Sequence, residues 1–545
     1  MSMGRLNFPI PRKALLAVAL VACMTGSLAQ AELPRRTPDL GTTPLPVVPE
    51  PADGTVHGAK GEPTKPGEMS PQAKAAEVSR ELFGPDPSYA DKPYDVDAQL
   101  AIYGNKHAVP GPRPPIEWGY PMYQPGPIGN GITIFGDKNP ARPELLAYGD
   151  FRLGTAYNDN GKVDTANMAA RLNLDLDLRL TATERIHAFL RPLDRTKIAR
   201  VTRVEFGGNQ RDRFGDHEIL LDATPETLFF EGDLGQIAAG ISDEYNLRDI
   251  PIAFGLTPMV LQNGIWMDDA ILGGAITIPA LNSRLLDISN MDITFFGGAD
   301  RVTTKSQLKG RAQDDHGANI YGTAIFIETR GMYIEAGYGY TDDTRNALGA
   351  DFSYHNLTAA VTRRWFGKVS NSLRVIYNFS QDPGPGFDKT ADGWLLLMEN
   401  SWISHKPLTL VPYANFFVGS KKPQSLARDF GAGGVLKNTG INFETDGLTG
   451  FPKLDDTAND TYGGALGVEY LFALNQQVVF EVAALNPLGR DNEAGRVAKG
   501  HQAAFGARYQ RPLSKQWIFR TDAIYGLREH EQDLAGIRAE LRFKF

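Results

Sequence analysis

From Arg171 to Leu180 the chain reads Arg-Leu-Asn-Leu-Asp-Leu-Asp-Leu-Arg-Leu, with leucine at every even position and a charged or amide residue at every odd one. Side chains of a strand alternate between two faces, so this run carries one apolar and one charged face; a helix would scatter the leucines around its axis. In a soluble sheet the leucine face would be a core face, and in a bilayer it would meet lipid. The last nine residues, Ile537-Arg538-Ala539-Glu540-Leu541-Arg542-Phe543-Lys544-Phe545, alternate in the same way. The period-2 pattern dominates from about Glu144 onward, and the connections between alternating runs are short and long by turns. The short ones are 404–407, 474–476 and 511–514; the long ones, rich in Asp, Asn and Gly, are 299–316, 381–390, 420–460 and 488–499. A sandwich has no reason for that asymmetry, whereas a transmembrane barrel with short turns at one end and long loops at the other does. The pattern therefore predicts an all-β fold: a closed antiparallel transmembrane β-barrel of about 18 strands (16–18) over residues 143–545. A barrel of that size leaves an aqueous channel.

The first 142 residues read differently. Arg5, Arg12 and Lys13 precede a short apolar core from Ala14 to Cys23, and Ala29-Gln30-Ala31 fits signal peptidase, which makes 1–31 a signal peptide and Glu32 the mature start. A rival reading takes Leu20-Val21-Ala22-Cys23 as a lipobox and leaves Cys23 lipidated; both routes carry the protein past the inner membrane. Residues 32–142 form a Pro-rich periplasmic extension, which begins as a linker of Pro, Gly, Thr and charge. Ser70 to Leu82 opens with an N-cap residue followed by Pro, which predicts a short helix. Prolines 110, 112, 114, 115, 121, 125 and 127 forbid a central strand in the last part, which reads as an extended segment that braces or enters the barrel mouth.

Composition agrees with a barrel. The 545 residues are 42% hydrophobic, yet beyond the N-terminus no run approaches the ~20 apolar residues of a spanning helix. Glycine is abundant at 57 residues, and aromatics reach 10%. A net charge of −8 argues against nucleic acid, which calls for basic domains. Cys23 is the only cysteine, so disulfides, haem attachment and cysteine metal sites are excluded, and no cofactor is expected.

The signal peptide, the alternating segments of ~10 residues and the terminal Phe545 resemble bacterial outer-membrane barrels, whose assembly machinery reads such a last strand. A narrower resemblance rests on the turn Thr181-Ala182-Thr183-Glu184 and the strand Arg185-Ile186-His187-Ala188-Phe189-Leu190. It continues in Leu228-Phe229-Phe230-Glu231-Gly232-Asp233, Phe254-Gly255-Leu256-Thr257-Pro258 and Gln262-Asn263-Gly264-Ile265-Trp266-Met267-Asp268-Asp269. These look like the alginate-export family of outer-membrane barrels, which has a Gly-Arg-Gln step where this chain has Gly255-Leu256-Thr257. The resemblance implies an eighteen-strand fold in the bacterial outer membrane, a porin-like channel or an exit pore for an anionic polysaccharide, and no enzymatic activity.

Strand parity names the side chains expected to face the lumen. The first strands offer Asp150, Arg152, Arg171, Asp175, Asp177, Arg179, Arg185, His187 and Arg191; the last offer Arg508, Arg520, Asp522, Arg538, Glu540, Arg542 and Lys544. Closure sets the last strand beside the first, so these would form one wall on which bases outnumber acids. Other strands point Glu335, Glu399, Glu469 and Glu481 inward. The wall is either a basic track for a charged solute or a set of mutually neutralised charges that keeps the lumen wet. The nine histidines are scattered singly, which supplies no Ser/His or Asp/His constellation. The pairs Asp314-Asp315, Asp342-Asp343 and Asp455-Asp456 read as solvated loop charge, and Trp394, Trp402 and Trp517 as interfacial girdle residues. Two function classes remain: a channel with a mixed-charge, partly basic lumen, or a structural sleeve partnering a periplasmic export or electron-transfer complex. The expected partners are outer-membrane lipids, the barrel-assembly machinery through Phe545, and a periplasmic protein held through residues 32–142.

Overall fold

The computed structural model describes residues 56–57, 63–64, 114–120 and 131–545, apart from 162, 196–199, 209–216, 247, 300, 305–317, 344–348, 404–409, 445–446, 473–475 and 490–498. The signal peptide and the helix expected over 70–82 lie outside these residues. Two units are distinguished, Met1–Val96 and Asp97–Phe545. Of the first, the described part is a two-residue pairing of Val56–His57 with Pro63–Thr64.

The second unit is a closed antiparallel β-barrel with eighteen wall strands. In chain order these are β1 (Glu144–Asp159), β2 (Asp164–Arg179), β3 (Arg185–Leu190), β4 (Pro225–Asp233), β5 (Pro251–Leu261), β6 (Met267–Ser283), β7 (Ile288–Ala299), β8 (Ala318–Thr329) and β9 (Met332–Asp343). The second half comprises β10 (Tyr354–Trp365), β11 (Val369–Phe379), β12 (Asp392–Trp402), β13 (Leu410–Lys422), β14 (Thr461–Phe472), β15 (Gln476–Pro487), β16 (Gln502–Pro512), β17 (Trp517–Arg528) and β18 (Leu534–Lys544). Each pairs with its chain neighbours, and β18 pairs with β1 from Ala535↔Asp159 to Lys544↔Asp150. Phe545 completes the seam: its N–H donates to the Gly149 carbonyl, and its carbonyl accepts from Gly149 N–H. Below that point Ile116–Gly119 of the N-terminal extension pairs with the same edge of β1, from Ile116↔Ala147 to Gly119↔Glu144. Four residues of the extension thus add a short edge strand beside β1. We call the end that carries both barrel termini the turn end and the opposite one the loop end.

The outer face is apolar. Leu153, Met168, Leu357, Leu373, Phe416, Leu466, Phe480 and Phe505 all lie exposed on it at alternate positions. Toward the loop end the belt is bordered by Tyr157, Tyr377, Trp394 and Tyr462, and toward the turn end by Trp365, Trp402, Tyr470 and Trp517. From Trp394 to Trp402 a strand rising ~3.3 Å per residue at ~40° tilt covers about 20 Å of height, near the ~25 Å of a transmembrane barrel's apolar band. An exposed apolar surface of this extent on a closed sheet is a lipid-facing surface.

Two departures from a plain wall position the site. Strand β3 stops at Leu190, and its partner β4 begins only at Pro225, with an excursion between them. Part of this excursion, Arg200–Gly208, pairs with the loop-end half of β2, covering backbone that β3 leaves unpaired. At the turn end, α1 (Leu234–Ser242) follows β4, with the Asp233 carboxylate accepting from Gln236 N–H as its N-cap. Next to it the buried Glu184 carboxylate accepts hydrogen bonds from Thr181, Thr183, Asn139 and the Asp233 N–H. Burial pushes the Glu184 carboxyl up, but these bonds together outweigh it and hold the group below its ordinary range.

Two outcomes are expected. Because the folded Glu184 carboxyl lies below its unfolded value, its contribution is complete above the ordinary carboxylate range and is lost as pH falls through the folded value. Glu184→Gln should therefore lower stability by about 1–3 kcal/mol at pH 7, with a difference from wild type that shrinks in denaturant titrations toward pH 3. Replacing Phe543 and Phe545 with Asp should block membrane assembly, read as loss of the heat-modifiable band; charge costs only ~0–1 kcal/mol near the interface, so a complete block would support the expectation that the last strand is read during assembly.

Candidate functional site

The lumen is not an open tube. Two segments that alternate or loop in sequence turn into it. The first is the tip of the β5–β6 hairpin, where Ile265, Trp266 and Met267 are fully buried. Trp266 donates to Asn356 Oδ1 at 3.0 Å and packs over Phe296. A side chain at Gly337 of β9 would collide with its ring. The second segment is the connection between β13 and β14, residues 423–460, expected as an outer loop. It folds inward: Met267 and Asp268 pair in parallel with Ala427 and Arg428. Arg428 is buried, donates to the carbonyls of Gly264, Ile265 (3.2 Å) and Ala432 (3.2 Å), and so ties the two segments together. Burial lowers the Arg428 pKa, against the raising influence of Asp268 and Asp456.

Wall residues seat this connection. Glu481 of β15, 1% exposed, accepts from the N–H groups of Ile441 (2.8 Å) and Asn442 (2.9 Å), from Asn442 Nδ2 (2.8 Å) and from the Tyr413 hydroxyl (2.5 Å). Asn158 and Asn167 both donate to the Thr449 carbonyl, at 2.7 and 3.0 Å. Arg171 donates to the Gly447 carbonyl at 2.5 Å. Glu444 reaches Arg508 at 2.5 Å and Arg520 at 3.5 Å. Wall glycines leave the necessary room: a Cβ at Gly154, Gly339, Gly506 or Gly536 would strike Thr449, Leu426, Asn442 or Pro452. Apolar contacts fill the rest, with Val435, Leu436, Phe443 and Leu454 packed against Ile376, Leu397, Phe417 and Leu485.

This packing corrects an expectation. The acidic pair Asp455-Asp456 is buried, not solvated: Asp455 N–H donates to Gln502 Oε1 at 3.1 Å, and Asp456 accepts from Gly434 N–H. Inward positions on the loop-end half of β11 to β17 are largely apolar, among them Ile376, Leu395, Phe417, Leu485 and Ile524. Their outward neighbours are apolar too, because one face meets lipid and the other a protein core. Asp343 is buried as well, and Asp314-Asp315 lie outside the described residues.

The expected wall of charge is brought together, but nearly every member has a partner. Arg152 pairs with Glu540 at 2.7 Å, Arg171 with Asp194 at 2.6 Å, and Arg179 with Glu144 at 2.9 Å. Arg508, Arg520 and Arg538 converge on the buried Asp522 at 2.7, 2.9 and 2.6 Å. Arg542 lies 3.4 Å from Asp150 and 3.3 Å from Glu540, and Asp150 also accepts from Asn173. Arg185 contacts Glu231 and, at 3.7 Å, Asp177. His187 stacks on Phe229 and stands 3.7 Å from Asp177; Asp175 shares this strand face. Across the barrel, Arg374 is held by Glu399 at 3.0 Å and Glu335 at 3.8 Å. Parity identified these residues but not Glu144, Asp194 and Glu444, whose reach depends on register and on the excursion or the inward connection.

Where the inward segments stop short of this wall, a cavity of about 550 Å³ remains. Arg152, Arg171, Arg520, Arg538 and Arg542 line one side; Asp268, Asp269 and Asp429, from the hairpin tip and the connection, belong to the other. In all, eight basic and five acidic side chains line it. Among the described residues no group of three or more His, Cys, Asp or Glu could hold a metal ion.

Comparison with known proteins yields solved structures only. The barrel is similar to Pseudomonas aeruginosa OccK5 (OpdH), at 10% identity and a TM-score of 0.46, covering 74% of this chain and 98% of that one. Acinetobacter baumannii OccAB4 is similar at 12% identity and a TM-score of 0.45, covering 73% and 98%, and P. aeruginosa OpdQ at 10% and 0.46, covering 74% and 97%. No family model matches the chain, and no curated protein does. Likenesses of this size carry no argument about the site, which rests on its own geometry.

Glu481→Gln should release the inward connection. Losing charge-assisted bonds at a buried carboxylate costs about 1–3 kcal/mol, so the denaturation midpoint should fall. Limited proteolysis should then cut within 436–454, where the wild-type chain resists.

Proposed function

We propose that the chain is an outer-membrane channel for anionic solutes, with the turn end periplasmic and the cavity as its narrow zone. The observation that carries this reading is the cavity itself. It holds a row of guanidinium groups from β1, β2, β17 and β18 on one side and carboxylates from the inward segments on the other. Arginine forks bind carboxylate and phosphate oxygens in two-point contact. The partnering acids set these forks in place and prevent a dense, unrelieved positive field, while the basic excess leaves a net attraction for an anion. The acidic side opposes it and gives the passing solute an orientation.

An exit route for an anionic polysaccharide is the finer form of this reading, supported by the sequence resemblance and by the same arginine row. In that form a charged chain passes the row one carboxylate at a time. The structural-sleeve reading is the competing outcome of the same test.

Reversal potentials in planar bilayers under a salt gradient decide. The wild type should favour anions, and the preference should fade from 0.1 M to 1 M salt as the screening length drops from ~10 Å to ~3 Å. Asp268→Asn should strengthen the preference and Arg542→Gln should weaken it. Arg542 pairs within the wall, with Asp150 and Glu540, whereas Asp268 lies 3.8 Å from Lys437 and 3.9 Å from Arg428 of the inward connection, so the Asp268→Asn protein is first checked by limited proteolysis for an intact connection. A potential near zero in the wild type would sink the anion reading, and a barrel without conductance would favour the sleeve. Blockage of the current by oligouronate, but not by neutral oligosaccharide, would support the polysaccharide form.

A further inference from the structure

The wall beside the cavity has a sector without backbone pairing among the described residues. Strands β3 and β4 are paired only up to Leu190 and Pro225. On one flank the excursion ends in the segment around Leu220 and Asp222, whose N–H groups donate to Thr202 Oγ1 and the Pro192 carbonyl. On the other flank β5 pairs with β4 only from Pro251 to Leu256, while Thr257 to Leu261 pair with β6 alone. The excursion flank is paired on its far side, Arg203↔Glu218 and Val204↔His217, and the hairpin tip has turned into the lumen; among the described residues no strand joins the two flanks.

The side chains around this sector are apolar and open. Ile219 and Leu221 are 71% and 77% exposed on the excursion flank; Val260 is 62% exposed on the β5 flank. The cavity that holds the lumen arginines is also lined by Phe189, Thr227, Leu256, Pro258 and Val260, with Glu226 and Arg301 as charged neighbours. Leu256 lies opposite the outward-facing Leu228 in the β4–β5 register, so the cavity reaches from the arginine row to residues that continue the lipid-facing surface. At the boundary stands Arg191. Its guanidinium lies over the Phe189 ring at 5.1 Å. Its Nε is buried with no hydrogen-bond partner among the described residues, and it stands near Arg171 and Asp194, so that two guanidinium groups face one carboxylate there.

A cavity with a cationic end, an apolar end and a side opening toward the lipid belt matches one kind of ligand. We propose that it is a binding site for a single-chain amphiphile with one carboxylate head, the head on Arg191 and Arg171 and the tail across Val260 and Leu256 toward the membrane. Exposed aliphatic residues are ordinary on the lipid face, but here Leu256 and Val260 line the same cavity as Arg171 and Arg191, which a lumen built only for small hydrophilic ions does not need. A site built only for apolar chains has no need of an arginine with a free, buried donor. The volume, about 550 Å³, falls within the ~300–1,000 Å³ usual for small-molecule sites. The proposal does not depend on ion conduction, and its test does not measure it.

The test uses the full-length mature chain in phosphatidylcholine nanodiscs, with a diazirine-bearing dodecanoate and its trimethylammonium counterpart as photoprobes. Labelled peptides are mapped by mass spectrometry. The carboxylate probe should label 217–228 and 254–261 above the rest of the belt, with competition by dodecanoate and none by butanoate. Arg191→Gln should cut that labelling about tenfold, the loss expected for one charge-assisted hydrogen bond, while belt labelling at Leu357 and Phe480 stays unchanged. Val260→Asp should have the same effect from the apolar side, and serves as the second variant if Arg191→Gln fails to give a heat-modifiable barrel. Equal labelling by the two probes, labelling spread evenly around the belt, or unchanged labelling in either folded variant would overturn the proposal.

Discussion

In hydrocarbon no water is at hand to take up an unpaired N–H or C=O, and each one left bare costs several kcal/mol. That constraint governs this barrel. It requires β18 to meet β1, and it explains why Phe545, the last residue, is bonded through both its backbone groups to Gly149. It also accounts for the two short strands that are not part of the regular meander. Ile116–Gly119 pairs with the part of β1 that reaches past the end of β18, and Arg200–Gly208 pairs with the part of β2 that reaches past the end of β3.

Closing eighteen strands creates a second problem, because the enclosed space is too wide for side chains alone to fill. The chain solves it by sending the β5–β6 tip and residues 423–460 inward. Their position is set by directed bonds more than by apolar contact: a carboxylate at Glu481, guanidinium groups at Arg171 and Arg428, and amides at Asn158 and Asn167 each take backbone groups of the inward segments. Backbone that enters a barrel must be satisfied as fully as backbone in the wall. The buried polar wall residues are therefore the counterparts of the strand ladder, and the wall glycines are the gaps that let the segments come close enough.

The same pairing logic shapes the charge. Arg538 and Asp522 are almost wholly buried, and the three guanidinium groups around this one carboxylate offset the cost of burying charge and leave a residual positive charge. What lines the cavity is this residue of an almost balanced network, not a bare row of arginines.

The sequence by itself determined a good deal. The leucine alternation of 171–180, the matching last strand and the uneven connections point to an antiparallel barrel of 16–18 strands and to which faces meet lipid, because a period of two leaves no freedom once one face is apolar. Parity also named Arg152, Arg171, Arg520, Arg538 and Arg542 as inward. Tertiary structure alone decided what these residues face. Nothing local in 423–460 or in Gln262–Asp269 says that the segments turn inward, because the residues that hold them, Glu481, Asn356 and Gly337 among others, lie tens of residues away and adjoin them only after closure. Likewise Asp455 and Asp456 look like loop charge until the wall around them is in place. A strand's faces follow from its own residues; the contents of a lumen follow from the whole circumference.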